Sequence, residues 1–137
     1  MNPSSKRHLL KQLSNFSSPF PYRLIYYDDE NDIETPEING HVIYVELLIT
    51  PNVCNLLKNI YKTRIYFYFP DDYPFNPPTI MLEDPVTHPT VNCEQINTCD
   101  YGCMFTFPQL ILNSYCIITE ALNNKENMDL INYINNH

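Results

Sequence analysis

The fold is decided by a proline-rich stretch in the middle of the chain, Phe69-Pro70-Asp71-Asp72-Tyr73-Pro74-Phe75-Asn76-Pro77-Pro78. A proline has no N–H and a fixed φ, so it cannot lie inside a sheet, and it keeps the residue before it extended. The β-branched and aromatic residues on either side, Arg64 to Phe69 and Thr79 to Leu82, are typical of strands. We therefore predict a rigid corner between two strands, with Tyr73 and Phe75 as its apolar anchors.

Composition indicates one compact domain over residues 1–137, because 44% of the 137 residues are hydrophobic. A net charge of −8 argues against nucleic-acid binding, which needs a basic face. The sequence has neither a long apolar run nor a signal-peptide pattern, so we expect no membrane partner and a cytoplasmic and nuclear location. Five cysteines without a secretory signal favour reduced thiols. We attribute the many asparagines to a bias of the genome.

Apolar periodicity predicts the elements before the corner. Ser4 and Ser5 are expected to cap a helix whose apolar stripe is Leu9, Leu10, Leu13 and Phe16. A first strand is predicted from Tyr22 to Tyr27. A second is predicted from Gly40 to Thr50 and a third from Ile60 to Phe69. In the second strand, one face carries Ile43, Val45, Leu47 and Ile49.

The last third of the chain is predicted to be irregular at first and then helical. Residues 84–112 show no clean period, and loops of that length usually carry function. Asn113 and Ser114 are expected to cap a helix with Ile117, Ile118, Ala121 and Leu122 inward. A short polar tail follows, with one helical turn around Met128 to Ile134.

The corner and the order of elements resemble one family, the ubiquitin-conjugating (UBC) domain. Its third strand runs through an F-P-x-x-Y-P-F-x-P-P corner into its fourth, and the resemblance spans Lys6 to about Leu130. It implies an α+β, UBC-like fold. The expected order is an N-terminal helix, a four-stranded antiparallel meander, a long irregular segment and a C-terminal helix with a short tail.

One branch of the family consists of enzymes that carry ubiquitin as a thioester on a cysteine. His88-Pro89-Thr90 resembles their H-P-N motif, and Gly102-Cys103-Met104 resembles their cysteine segment. If the protein is active, the resemblance implies Cys103 as nucleophile, His88 as structural support and Thr90 as a weakened oxyanion donor. Thr90 replaces an asparagine, however, and the chain has no tryptophan for the enzymes' W-S-P turn. Cys103 lies fifteen positions after His88, five more than in the enzymes' motif.

The other branch consists of the ubiquitin-conjugating enzyme variants, which keep the fold but lack the cysteine. Leu112 to Ile117 and Asn124 to Leu130 resemble their N-S-Y-S-I helix start and K-E-N-M-x-L tail. The resemblance implies a non-catalytic subunit that pairs with an active conjugating enzyme and positions acceptor ubiquitin for non-degradative chain synthesis. In the variants a phenylalanine before the first helical leucines enters a pocket of the partner. In this sequence Arg7 or His8 takes the place of that phenylalanine. The predicted partner-binding residues are therefore Arg7, His8 and Leu10.

We favour the variant, and a divergent active enzyme using Cys103 is the alternative. The resemblance implies three partners: an active conjugating enzyme, ubiquitin and a ubiquitin ligase. It also implies a role in DNA-damage tolerance. We predict no cofactor. A zinc site of His88, Cys93, Cys99 and Cys103 has suitable ligands, but its spacings do not match structural zinc sites, so we predict no metal. Cys54 and Cys116, placed in a turn and at a helix start, are interpreted as structural or neutral.

Overall fold

The computed structural model describes residues 22–26, 42–73, 75–98 and 106–137, together with Lys11. Its strands are β1 Tyr22–Tyr26, β2 Val42–Ile49, β3 Tyr61–Tyr68, β4 Thr79–Leu82, β5 Val91–Asn92 and β6 Gln95–Ile96, and its helices are α1 Phe107–Leu122 and α2 Met128–Asn135. Across these ranges, no helix has the length and apolar character needed to cross a membrane. The predicted helix after Ser4 lies outside the described residues, except that Lys11 is helical.

The strands form one antiparallel sheet in the order β1-β2-β3-β4-β6-β5. The first four strands form the predicted meander, each starting and ending within two residues of its predicted limits. The small hairpin of β5 and β6 was not predicted, so residues 84–112 are more regular than we expected. Its two-residue turn, Cys93 and Glu94, has no glycine, which is the residue that usually marks such turns in a sequence.

The core lies between one face of the sheet and α1. The predicted inward face of β2 is confirmed, since Ile43, Val45, Leu47 and Ile49 are at most 1% exposed. The inward residues of α1 are confirmed as well: Ile117, Ile118, Ala121 and Leu122 are all buried. Burial of apolar surface on this scale is the main stabilising contribution to a domain of this size.

The proline corner is anchored by one aromatic residue, not two. Tyr73 is buried and its ring packs edge-on against Phe69, with ring centroids 4.9 Å apart. Phe69 in turn packs edge-on against Phe107, the first residue of α1, at 5.1 Å. Phe75 is 79% exposed, so its predicted role as an anchor is wrong. The turn bond from the Phe75 N–H to the Asp72 carbonyl (2.9 Å) holds this residue on the solvent side of the corner.

The main helix begins two turns earlier than predicted. Thr106 is its N-cap and forms a capping box with Gln109, which satisfies two backbone N–H groups at the start of the helix. Ser114, which we expected near the cap, is buried inside the helix and donates to the Leu110 carbonyl at 2.8 Å. Cys116 therefore lies within α1 and not at its start.

The C-terminal tail is helical, as predicted, and asparagines fasten it to the loop between β2 and β3. A 3₁₀ turn at Lys125–Asn127 leads into α2. Asn135 accepts from the Lys58 N–H (2.7 Å) and donates to the Leu56 carbonyl (3.0 Å). Asn123 holds the same loop by accepting from the Asn55 N–H (3.1 Å). Asn123 and Asn135 therefore have structural roles, whereas the attribution of the asparagine abundance to a bias of the genome stays a prediction.

Candidate functional site

The segment after β4, which we call the strap (Pro85 to Thr90), is fastened to the end of α1 through Asn127. The Asn127 amide accepts from the Thr87 N–H (2.7 Å) and donates to the carbonyls of Thr87 (3.1 Å) and Ala121 (2.9 Å). Asn127 is only 5% exposed, and a buried polar group must be paired to avoid a desolvation cost. The position of Thr87, and hence of His88 next to it, is therefore fixed relative to α1.

His88 bridges the strap and the helix. Its Nε2 atom lies 2.8 Å from Oε2 of Glu120 on α1, and its Nδ1 atom lies 2.9 Å from Oγ1 of Thr90. The Thr90 backbone N–H also donates to Nδ1, at 3.2 Å. The His88 side chain is 12% exposed, whereas that of Glu120 is 66% exposed. The imidazole is thus held from both sides, by one residue of its own strap and by one residue of the helix.

These contacts assign the protons of the imidazole. A backbone N–H can only donate, so the bond from Thr90 N requires a lone pair on Nδ1. A carboxylate can only accept, so Glu120 requires a proton on Nε2. These two contacts fit an imidazole with its proton on Nε2, and the Thr90 hydroxyl lies 2.9 Å from the Nδ1 atom that already accepts the Thr90 N–H.

A cavity of about 450 Å³ opens beside this group of three side chains. Its floor is apolar and includes Ile80, Ile96 and Ile117. Around this floor stand the imidazole, the hydroxyl and the carboxylate, together with amide side chains and a thiol; these polar lining residues are His88, Thr90, Asn97, Thr98, Gln109, Asn113, Cys116 and Glu120. An apolar cleft with a few converging polar groups is the usual form of a binding site.

Two of the predicted catalytic residues, His88 and Thr90, are brought together at this cavity. The third, Cys103, lies outside the described residues, and its role stays a prediction. The predicted partner-binding residues Arg7, His8 and Leu10 also lie outside them and stay predictions.

The sequence interpretation missed Glu120 and Asn127. Glu120 lies 32 positions after His88, and no motif connects the two residues in the sequence. Asn127 belongs to the segment that resembles the variants' K-E-N-M tail, but that pattern did not indicate contact with the strap. Only the packing of the helix end against the strap reveals their roles.

The thiols have different environments. Cys54 is buried, its Sγ donates to the Thr119 carbonyl (3.7 Å), and burial raises the pKa of its thiol to about 11, so it is a structural residue. Cys93 and Cys116 are exposed. Within the described ranges, no group of three or more histidine, cysteine, aspartate or glutamate side chains could hold a metal ion. Cys99 and Cys103 lie outside those ranges, so the expectation of no zinc site stays a prediction.

The antiparallel sheet, the proline corner and the His88-Pro89 strap facing a long helix together define a fold of the ubiquitin-conjugating class. Fifteen chains of solved structures match this structure. One of them is the human ubiquitin-conjugating enzyme E2 G1, with a TM-score of 0.56 and 16% sequence identity over 86% of this chain and 91% of that one. At this identity the likeness shows the fold alone. The sequence matches no family model and no curated protein.

Proposed function

We propose that this protein is a ubiquitin-conjugating enzyme variant. As such, it would pair with an active conjugating enzyme and position acceptor ubiquitin for non-degradative chain synthesis, without carrying ubiquitin itself. The observation that carries the proposal is the state of Thr90. In the enzymes that the sequence resembles, an asparagine at this place supports the oxyanion of the transfer step. Here a shorter hydroxyl takes its place and lies within hydrogen-bond distance of His88 Nδ1, at 2.9 Å.

The loss of one oxyanion donor typically lowers a rate by on the order of a hundredfold or more. A subunit that only binds does not need this donor, so the substitution is compatible with the variant and costly for the enzyme. The K-E-N-M segment adds support, because its asparagine, Asn127, holds the strap in place and so preserves the scaffold that a partner would recognise.

The alternative is a divergent conjugating enzyme that carries ubiquitin as a thioester on Cys103. His88 and the cavity beside it favour this alternative, and the structural neighbour E2 G1 is itself a ubiquitin-conjugating enzyme. In this case His88 would support the site and Thr90 would be its weakened oxyanion donor.

One experiment separates the two. The protein is incubated with activating enzyme, ATP and ubiquitin, and an adduct that reducing agent removes is sought. For the variant we expect no adduct, but faster chain synthesis by an added active conjugating enzyme. An adduct that Cys103→Ala abolishes and the matched control Cys116→Ala retains would overturn the variant in favour of the enzyme. If no adduct forms and chain synthesis is not stimulated, both the variant and the enzyme are contradicted.

The wider assignment rests on the resemblance. We propose ubiquitin, an active conjugating enzyme and a ubiquitin ligase as partners, a place in DNA-damage tolerance, and a cytoplasmic and nuclear location. The exposed ring of Phe75 is an apolar group available for contact with one of these partners. Imaging of the tagged protein before and after DNA damage tests the location.

A further inference from the structure

Three side chains at the cavity form a continuous hydrogen-bonded line from a hydroxyl through an imidazole to a carboxylate. Thr90 Oγ1 lies 2.9 Å from His88 Nδ1, and His88 Nε2 lies 2.8 Å from Glu120 Oε2. This sequence of groups is the arrangement that activates a weak hydroxyl nucleophile in acyl transfer. It is recognised by its geometry and by the role of each group, whatever the fold.

The donors and acceptors around His88 fit such a relay. Nδ1 has one lone pair, which accepts the Thr90 backbone N–H at 3.2 Å, and the Thr90 hydroxyl lies closer to the same atom, at 2.9 Å, so it can share this lone pair. Glu120 accepts from Nε2–H and would stabilise the positive charge that appears when Nδ1 takes up a proton. Thr90 lines the cavity, so its hydroxyl oxygen lies where a nucleophile of this relay would have to be.

The relay is held by rigid elements and its nucleophile is accessible. His88 is fixed by the contacts of Asn127 with Thr87 and by Glu120 on α1. Thr90 is exposed and lines the cavity. A base already within hydrogen-bond distance of the proton that it removes satisfies the geometric requirement for general base catalysis.

We propose that Thr90 is an acyl acceptor, activated by His88 and Glu120, for esters or thioesters that enter the cavity. Thr90 Oγ1 attacks the carbonyl carbon while its proton passes to His88 Nδ1. The bond to the leaving alkoxide or thiolate breaks, and the leaving group takes up that proton. The product is an ester on Thr90. Attack by water with the same base releases the carboxylic acid and restores the hydroxyl.

This proposal goes beyond the proposed function and does not depend on it, because the test uses neither ubiquitin nor activating enzyme. The probe is p-nitrophenyl acetate. Nitrophenolate release gives the rate, and mass spectrometry of peptides locates the acetyl group, which separates Thr90 from the reactive cysteines. We expect acetylation of Thr90 in the wild-type protein.

Two variants and a control test the roles of the groups. Thr90→Val keeps the shape of the side chain and is expected to abolish the acetyl group at position 90. Glu120→Gln removes the charge of an exposed side chain and should lower the rate of Thr90 acetylation at least tenfold, since the carboxylate of such a relay stabilises the protonated form of the imidazole base. Thr79→Val, at an exposed threonine on β4, should leave the rate unchanged. Melting temperatures confirm that each variant is folded.

The proposal is overturned if acetyl groups appear on cysteines or lysines only. It is equally overturned if Glu120→Gln acetylates Thr90 as fast as the wild type, because the carboxylate would then have no part in activation.

Discussion

Among single residues in the described part of the chain, Cys93 is the one with a positive φ, at 60°. It occupies the first turn position between β5 and β6, where the chain must reverse within two residues. A side chain with a Cβ in this left-handed region costs roughly 1 to 2 kcal/mol, and glycine avoids the cost. The β5–β6 hairpin beside the strap therefore keeps its turn against the preference of the residue that forms it.

We expect Cys93→Gly to stabilise the protein by about 0.5 to 1 kcal/mol, because the relief of strain exceeds the extra backbone entropy of glycine in the unfolded chain. Equilibrium unfolding in urea under reducing conditions measures it. Cys93→Ala is the matched control, which removes the thiol but keeps the Cβ and should change little. Equal stability of the two variants would contradict the argument.

The buried thiol of Cys54 predicts a loss of stability in alkaline solution. Burial raises its pKa from an ordinary value of 9.0 to about 11, so the folded state retains a proton that the unfolded state releases. The contribution is fully present below pH 9 and is lost as the pH rises towards 11, to an extent of about 2 kcal/mol. Denaturant unfolding between pH 8 and pH 11 measures it.

Tyrosines whose pKa values are raised by burial, such as Tyr115, add to the same alkaline loss, so the test of Cys54 compares two proteins. Cys54→Ala lowers stability at all pH values but should show a shallower decline above pH 9. Parallel curves for the wild type and the variant would rule out a role of the Cys54 thiol.

At the scale of the elements, the Asn127 side chain joins the strap to the α1–α2 junction. Its three hydrogen bonds involve both backbone groups of Thr87 and the Ala121 carbonyl. Asn127→Ala leaves these groups unpaired, and at about 1 kcal/mol for each bond we expect a loss of about 3 kcal/mol. Urea unfolding gives the loss, and faster hydrogen exchange of the Thr87 amide would place it at the strap.

The matched control is Asn136→Ala, at an exposed asparagine just after α2, which should change stability by less than about 0.5 kcal/mol. A similar small effect for Asn127→Ala would show that the strap does not depend on this amide.

How much of the fold the sequence predicts varies with the element. Strands β1 to β4 follow from their β-branched, aromatic and alternating apolar residues, although β2 is buried on both faces, and the proline corner marks where β3 ends. The start of α1 was predicted at Asn113, since asparagine and serine usually cap helices. The observed cap is Thr106, which was not predicted because it follows aromatic residues that do not mark a helix start. The β5–β6 hairpin was missed because Cys93 gives no turn signal.

The candidate site is less predictable than the fold, because its contacts join distant segments. His88 and Thr90 were identified through a motif of three adjacent residues. Glu120 and Asn127 reach the strap only after α1 has packed against the sheet, and contacts over 32 and 40 residues leave no periodic pattern. The contact of Glu120 with the His88 imidazole and that of Asn127 with Thr87 could not be inferred without the structure.

At the scale of the whole molecule, the proline corner is both part of the core and part of the surface. Tyr73 packs inward on Phe69, and Phe75, two positions later, is 79% exposed. We expect Tyr73→Ala to cost about 3 to 5 kcal/mol, as is usual for a buried aromatic residue, and Phe75→Ala to cost less than about 0.5 kcal/mol. Thermal unfolding of this matched pair measures the difference.

Tyr73→Ala and Phe75→Ala also distinguish a residue that stabilises the fold from a residue that would bind a partner in the proposed function. If the exposed ring contacts a partner, Phe75→Ala should reduce the chain synthesis that the protein stimulates in an active conjugating enzyme, by tenfold or more for an anchor worth about 1.4 kcal/mol. Its melting temperature should stay at the wild-type value, so a loss of activity could not be attributed to unfolding. Full stimulation by Phe75→Ala would exclude the ring as a contact, whereas a lowered melting temperature would mean that Phe75 supports the corner after all.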